Sequence, residues 1–298
     1  MMISIIIRTY NEERHIEALL ASIENQTISG ISVETIVVDS GSTDKTLNIA
    51  HRFNCIILHI KKEDFTFGYS LNVGCEAAKG NIFVFISGHC IPTSQNWLNL
   101  LCLPLLEQQA DYVYGRQLSN ELTQFSERQI FNSNFASASC IPQKSNFCNN
   151  ANAAMTADIW KKFKFDESVT GLEDLEFAQR ARNKGYLIGY QSTASVFHIH
   201  EENWPQIQHR FKREAQALHQ ITSSSLSLQE SIYWFFLAVI SDFKAAYNDG
   251  CFFQHFISVT KYRYHQYRGL YLGRVTNKHQ TSEPKRLYFW PVPMNDKR

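Results

Sequence analysis

The chain carries no GxGxxG fingerprint and no GxxxxGK[ST] loop. That argues against a dinucleotide-binding dehydrogenase and against a phosphate-loop ATPase. It has no CxxC pair either. Its seven cysteines, from Cys55 to Cys251, are odd in number and scattered, which fits reduced thiols in a cytoplasmic protein better than a disulfide framework. Long hydrophobic runs are missing. The opening MMISIIIRTYNEE is too short for the core of a signal peptide. The most apolar later stretch, SIYWFFLAVISDF, meets Asp242 before the ~20 apolar residues that a bilayer span requires. Net charge is nearly absent, with 29 Lys and Arg against 28 Asp and Glu. No global electrostatic drive toward nucleic acid is therefore expected, although a local basic face is compatible with that balance. Internal repeats and low-complexity segments are absent too. These absences lead us to expect a cytoplasmic protein with no nucleic-acid partner, one that at most touches the inner face of a membrane.

What is present points to an α/β enzyme. The 298 residues are 44% hydrophobic, enough for a proper core in one large domain with a C-terminal extension. Ile3 to Ile7 is a continuous β-branched run, the mark of a strand buried on both faces. NEERHIEALLASIENQT places Ile16, Leu19, Leu20 and Ile23 at helical spacing. VETIVVDSGS predicts a second strand, followed by a helix with Ser42 or Thr43 as its cap. CIILHI predicts a third strand. GYSLNVGCEAAKG predicts a helix closed by Gly80, and NIFVFIS a fourth strand, with a helix opening near Ser94. This alternation implies a parallel sheet with polar groups gathered at the strands' C-terminal ends. Farther on, NAAMTADIWKKF and LEDLEFAQRARNKG predict helices, YLIGYQ and SVFHIH predict two short strands, and the chain beyond Trp204 reads as helical, aromatic and basic.

Several side chains could carry chemistry. Asp39 ends the second strand, where a carboxylate either binds a base or ribose over the sheet edge or caps the turn that follows. Glu173 and Asp174 open a helix. There an acid is stabilised by the helix dipole, and Asp174 could also serve as a general base. His198 and His200 alternate along a strand, so they would share a face and could bind a metal or simply pack. His209, Arg213 and Gln216 lie near one helical face beside Arg210, a face able to hold a diphosphate or to be solvated.

Five segments occur in order: SIIIRTYNEE, ETIVVDSGSTDKT, FGYSLNVGCEAAKGNIFVFIS, CNNANAAMTADIWKKFKFDE and GLEDLEFAQRARNKGYLIGYQSTASVFHIH. Together they resemble a family 2 glycosyltransferase of the GT-A fold, close to the bacterial rhamnosyltransferase-like group that builds surface polysaccharide. The resemblance implies a mostly parallel sheet flanked by helices over residues 1–220, with a helical extension over 221–298. It also implies an inverting transfer from a UDP-, dTDP- or GDP-sugar to a glycan or lipid-linked acceptor. Arg8, Thr9, Tyr10 and Glu12 would line the nucleotide pocket, Asp39 would contact the base, and Asn72 would sit near the diphosphate, although an Arg common just before it is Leu71 here. Asp174, with Glu173 beside it, would be the catalytic base. His198 would be the late metal ligand or diphosphate contact.

One stretch departs from that pattern. FISGHCIP puts His89 where the metal-binding acid of an Asp-x-Asp motif belongs, and no Asp or Glu lies between Ser87 and Thr93. Three outcomes stand open. His89 and His198 could form a site better suited to Mn²⁺ or Zn²⁺ than to Mg²⁺. A protonated His89 could neutralise the diphosphate with no metal. The chain could instead be an inactive relative that binds glycan or scaffolds an assembly. Cys90 is not expected to act as a nucleophile, because inverting transfer needs none. A sugar nucleotidylyltransferase is disfavoured, since RTYNEERH has no glycine-rich loop. The aromatic and basic C-terminal segments suit either an interfacial helix on an anionic membrane or a helical subdomain. Phe289 and Trp290 are expected to dock the tail.

Overall fold

The computed structural model describes residues 1–275, so the expectation for Phe289 and Trp290 lies outside the described residues. The chain divides into a sheet unit (Met1–Glu121, Phe131–Ser168 and Glu173–Ile199) and a helical unit (Leu122–Ile130, Val169–Leu172 and the chain from His200). This division departs from a single boundary near residue 220. The helix expected to close the first domain instead packs with the C-terminal helices.

In the sheet unit the elements follow in order: β1 (Met2–Thr9), α1 (Ile16–Glu24), β2 (Ser32–Asp39), α2 (Thr46–Ala50), β3 (Ile56–His59), α3 (Phe67–Ala77), β4 (Ile82–Ser87), β5 (Cys90–Pro92), α4 (Trp97–Leu106) and β6 (Tyr112–Leu118). Then come α5 (Phe125–Asn134), which is divided between the units, β7 (Asn152–Thr156), α6 (Ala157–Phe163), α7 (Glu173–Arg182) and β8 (Ile188–His198). Among the described residues, eight strands form one sheet in the order β3-β2-β1-β4-β7-β6-β8-β5. β1, β2, β3 and β4 run parallel, as the alternating pattern predicts. β7 is antiparallel to both of its neighbours, and β5 is antiparallel to β8. Ile3, Ile5, Ile6 and Ile7 are wholly buried, each contributing on the order of 1.5–3 kcal/mol of apolar burial.

Some local expectations are corrected. NAAMT is strand β7 rather than helix, because its backbone pairs into the sheet between β4 and β6; only ADIWKKF is helical. YLIGYQ and SVFHIH belong to a single strand, β8, which ends at His198. Helix α2 starts at Thr46 without a side-chain cap, since the Ser42 hydroxyl instead accepts the Asn11 N–H at 2.9 Å. Helix α3 ends at its cap, Ala78, two residues short of Gly80. The residues after His89 form β5 before α4 begins at Trp97, so His89 sits in a two-residue turn between strands.

The helical unit holds α8 (Trp204–Thr222), α9 (Leu228–Asn248) and α10 (Phe252–Val275). α8 and α9 each open with a capping box, Asn203 with Gln206 and Ser227 with Glu230, which supplies partners for orphan N–H groups at each start. α10 lies close along α8, and a Cβ at Gly269 would stand 2.5 Å from the Gln208 carbonyl oxygen. Only glycine allows that approach.

Candidate active site

The C-terminal ends of the parallel strands gather the polar groups. Register places Thr9 level with Asp39 and Arg8 level with Ser87. Gly88 makes this crowding feasible, because a Cβ there would lie 2.9 Å from Glu12 Cγ. Just beyond β1, Asn11 holds the left-handed region at φ 55°. Non-glycine residues seldom adopt that conformation, and those that do cluster at functional loops.

Two histidines meet at this edge. His89 Nδ1 donates to Glu12 Oε1 at 2.7 Å. His198 Nδ1 donates to Gln117 Oε1 at 2.6 Å. Their Nε2 atoms face one another at 3.1 Å, and the rings stack with centroids 5.0 Å apart. Phe131 stacks on the far side of His198. Because each Nδ1 is committed to an oxygen acceptor, each Nε2 directs its lone pair toward the other. Two such lone pairs repel unless a shared proton or a cation lies between them. An oxygen partner on the far ring nitrogen is also the usual second shell of a metal-ligating imidazole. Two nitrogens 3.1 Å apart can share one ion, given metal–nitrogen distances of about 2.0–2.1 Å. The pair therefore fits a divalent cation of borderline softness.

The acids form a second group. Arg8 donates to Glu173 at 3.0 Å, and both side chains are largely buried. The Arg8 guanidinium also lies 5.0 Å from the centre of the Phe67 ring, at the start of α3, where Thr66 caps the helix. Asp174 is buried in the first turn of α7. Its carboxylate accepts the Asn150 N–H at 2.9 Å and the Leu175 N–H at 2.8 Å. Burial raises this carboxyl most and the Glu173 charge raises it further, while the two N–H groups and Arg8 oppose them; it is pushed up to about 7. A buried carboxylate that titrates near neutrality can act as a general base at working pH.

The remaining candidates are placed as follows. Thr9 is buried, its hydroxyl directed at the Val38 carbonyl. Lys62 donates to the Tyr10 hydroxyl and lies over its ring at 4.5 Å. Asp39 is fully buried and accepts from the Gly41 N–H at 2.9 Å and the Ser42 N–H at 3.1 Å, so it caps its own turn. Asn72 is buried behind the edge. Its amide donates to Phe165 O and Glu167 and accepts from Trp160 Nε1 and Phe165 N. Both of its donor hydrogens are thus committed to holding α3 against the segment after α6. Cys90 is buried in β5, and burial raises its thiol, so it is no nucleophile. Arg213 lies on α8 in the helical unit, apart from the other candidates in the chain's division.

Two supporting residues escaped the sequence reading. Gln117 holds His198, and the Asn150 backbone holds Asp174, while Tyr112 donates to the Asn150 side chain at 2.5 Å. The clustered asparagines of CNNANAAM were the available signal for Asn150. Nothing local marks Gln117, which becomes important only because β6 lies beside β8.

Comparison with known proteins places these observations in a family. The sequence model of glycosyl transferase family 2 matches residues 4–163. The O-antigen chain rhamnosyltransferase RfbN of Salmonella typhimurium is 27% identical over 212 residues, 67% of this chain and 67% of that protein. The O-antigen chain rhamnosyltransferase WbaN of Salmonella anatum is 28% identical, over 56% of each chain. Glycosyltransferase AglE of Haloferax volcanii is 38% identical over 32% of this chain and 33% of its own. The chain thus spans from a third to two thirds of these relatives' lengths. Among solved structures, the mannosyltransferase PcManGT of Pyrobaculum calidifontis, in complex with GDP-Man and Mn²⁺, aligns with a TM-score of 0.63 at 17% identity, covering 94% of this chain and 88% of that one. TarS 1-349 of Staphylococcus aureus aligns at 0.53 and 17% identity, covering 93% and 91%. At such identity the likeness speaks to the fold, which is the GT-A arrangement.

Proposed function

The chain belongs to glycosyl transferase family 2, and on that premise we propose that it is an inverting glycosyltransferase of bacterial surface-polysaccharide synthesis. It would move a sugar from a UDP-, dTDP- or GDP-sugar to a hydroxyl of a glycan or lipid-linked acceptor, working at the inner face of a membrane. The observation that carries this reading is Asp174, buried, held by two backbone N–H groups and pushed up to about 7. Its carboxylate takes the proton of the acceptor hydroxyl. The acceptor oxygen forms a bond to the anomeric carbon as the bond from that carbon to the diphosphate oxygen breaks. The nucleoside diphosphate leaves with the electron pair, and the configuration inverts in this single displacement.

Glu173 acts through its neighbours. Its charge raises Asp174, and its pairing with Arg8 fixes the guanidinium at the end of β1. Arg8, Thr9, Tyr10, Glu12 and Asp39 line the edge offered to the nucleotide. His89 and His198 would hold a divalent ion. When bound, such an ion neutralises charge on the diphosphate leaving group. Where the family has an acid, this chain has an imidazole anchored by Glu12, so the departure at residue 89 changes the ligand without emptying the place. That supports an active enzyme over an inactive relative.

The test is calorimetric titration of the purified protein with UDP, GDP and dTDP, first in EDTA and then with Mn²⁺ or Mg²⁺, alongside transfer assays with the matching sugar donors. One nucleotide should bind, more tightly with Mn²⁺ than with Mg²⁺, and His89→Ala should remove the metal dependence. Asp174→Asn should abolish transfer and keep nucleotide affinity. Equal loss of both would end the assignment of Asp174 as base.

A further inference from the structure

α9 is apolar on two opposite faces. On one, Ser231, Phe235, Val239, Asp242 and Ala246 recur every three or four residues and pack against α10. There Asp242 takes the Arg263 guanidinium through two 2.7 Å bonds, and Phe243 stacks on Phe256. On the other, Tyr233, Phe236, Leu237, Ile240 and Tyr247 are exposed. A helix apolar all round ordinarily has both faces covered.

α10 extends the uncovered surface. Phe253, Ile257, Lys261, Tyr264 and Arg268 form one exposed row at helical spacing, apolar near the α9–α10 turn and then aromatic and basic. Exposure peaks around that three-residue turn, at 93% for Phe253 and 76% for Tyr247. No Asp or Glu occurs from Phe252 to Val275. Across the described residues of α9 and α10 and the turn between them, the exposed charges are Lys244, Lys261 and Arg268 against Glu230 and Asp249, and Glu230 lies at the end of α9 away from the turn.

We propose that the α9–α10 hairpin is a docking surface for an anionic lipid bilayer, with the aromatic side chains at its tip entering the headgroup region. Phe253 and Ile257 supply apolar burial, Tyr247 and Tyr264 suit the boundary where a ring is buried and its hydroxyl stays wet, and Lys244, Lys261 and Arg268 meet the anionic headgroups. Their long stems allow the charges to stay in water while the aromatics sink. No helix among the described residues is long and apolar enough to cross a membrane, so the hairpin lies on the bilayer. A second copy of the chain is a poorer occupant. A two-fold interface would oppose the same patch to itself and bring the cations of α10 against cations, with Asp249 in the turn and Glu230 at the far end of α9 as the exposed acids among the described residues of the hairpin. The inference rests on the helical unit alone, so its failure is separable from failure of the catalytic assignment.

The test uses the full-length protein in co-sedimentation with vesicles of phosphatidylcholine alone and of phosphatidylcholine mixed with phosphatidylglycerol. Binding should require phosphatidylglycerol and weaken with salt. Phe253→Asp and Ile257→Asp should each cut the bound fraction about tenfold at limiting lipid with no change in thermal midpoint, because both side chains are solvent-facing. Lys261→Glu with Arg268→Glu should weaken binding to anionic vesicles. Absence of binding to anionic vesicles, or binding untouched by Phe253→Asp, would overturn the proposal. So would a dimer in sedimentation analysis that Phe253→Asp dissolves while vesicles remain unbound; that outcome would assign the face to a second copy.

Discussion

Two buried ionic clusters in this chain have opposite characters. In the sheet unit, Glu173 and Asp174 lie beside a single guanidinium, Arg8, and Asp174 is pushed up to about 7. In the helical unit, Glu127 accepts from both Arg210, at 2.7 Å, and His200, at 2.6 Å, while Arg210 also reaches Glu202 at 2.7 Å. Burial works against the charge on Glu127 just as it does on Asp174, yet Arg210 and His200 prevail and hold it down at about 2. Desolvation is common to both clusters, so the count of neighbouring cations decides between them. An acid with two basic partners is a structural brace. Two acids sharing one cation leave a carboxylate able to exchange its proton near neutrality, as catalysis requires.

The largest effect that would sharpen this contrast is on turnover. Asp174→Asn should lower kcat by about 10²–10⁴-fold, the usual worth of a positioned general base, while the urea midpoint stays level or rises because a strained buried charge is gone. A coupled loss of fold and activity would erase the distinction between base and brace. Next in size is Arg210→Ala, which leaves Glu127 with His200 alone and takes the guanidinium partner from Glu202. It should destabilise the chain by about 3–5 kcal/mol, read from urea unfolding.

Smaller and more diagnostic are the neighbours of Asp174. As the proposed base, Asp174 works as a carboxylate, so the rate should rise with pH through its titration near 7. Glu173→Gln removes the like charge and should move that limb of kcat/KM to lower pH. Arg8→Gln removes the opposing charge and should move it to higher pH, each by about one unit. Shifts in the same direction would refute the charge-counting argument.

The last effect is on stability against pH. Glu127 titrates lower in the folded state, so its contribution is present above the unfolded value near 4.3 and is lost as pH falls toward about 2. Asp174 titrates higher, so the folded state favours its protonated form. Stability from that source is present below about 4 and is lost as pH rises through about 7. Denaturation midpoints from pH 2 to 8 should therefore flatten on the acid side in Glu127→Gln and on the neutral side in Asp174→Asn.

Much of the site was legible in the sequence because strand ends are. IVVDSGS and FVFISGH each pass from buried β-branched or aromatic residues into small polar ones, and parallel strands place such ends on one edge. The acids of GLEDLEF were legible as a helix start. Roles were harder to read. The resemblance gives Asp39 the base and Asn72 the diphosphate, yet in the structure their bonds go to the local turn and to the segment after α6. β7 was read as helix because alanine-rich NAAMT carries little strand propensity; its place beside β4 overrode that preference.

By itself the sequence determined the four parallel strands, the helices between them and the family, because hydrophobic periodicity and short motifs are local properties of the chain. Tertiary structure alone decided that His89 and His198, 109 positions apart, aim their Nε2 atoms at each other, that Gln117 and Glu12 set their tautomers, and that Arg8 serves Glu173. The physical reason is that protonation and ligation depend on neighbours within a few ångströms, and only pairing in the sheet selects which distant residues those are.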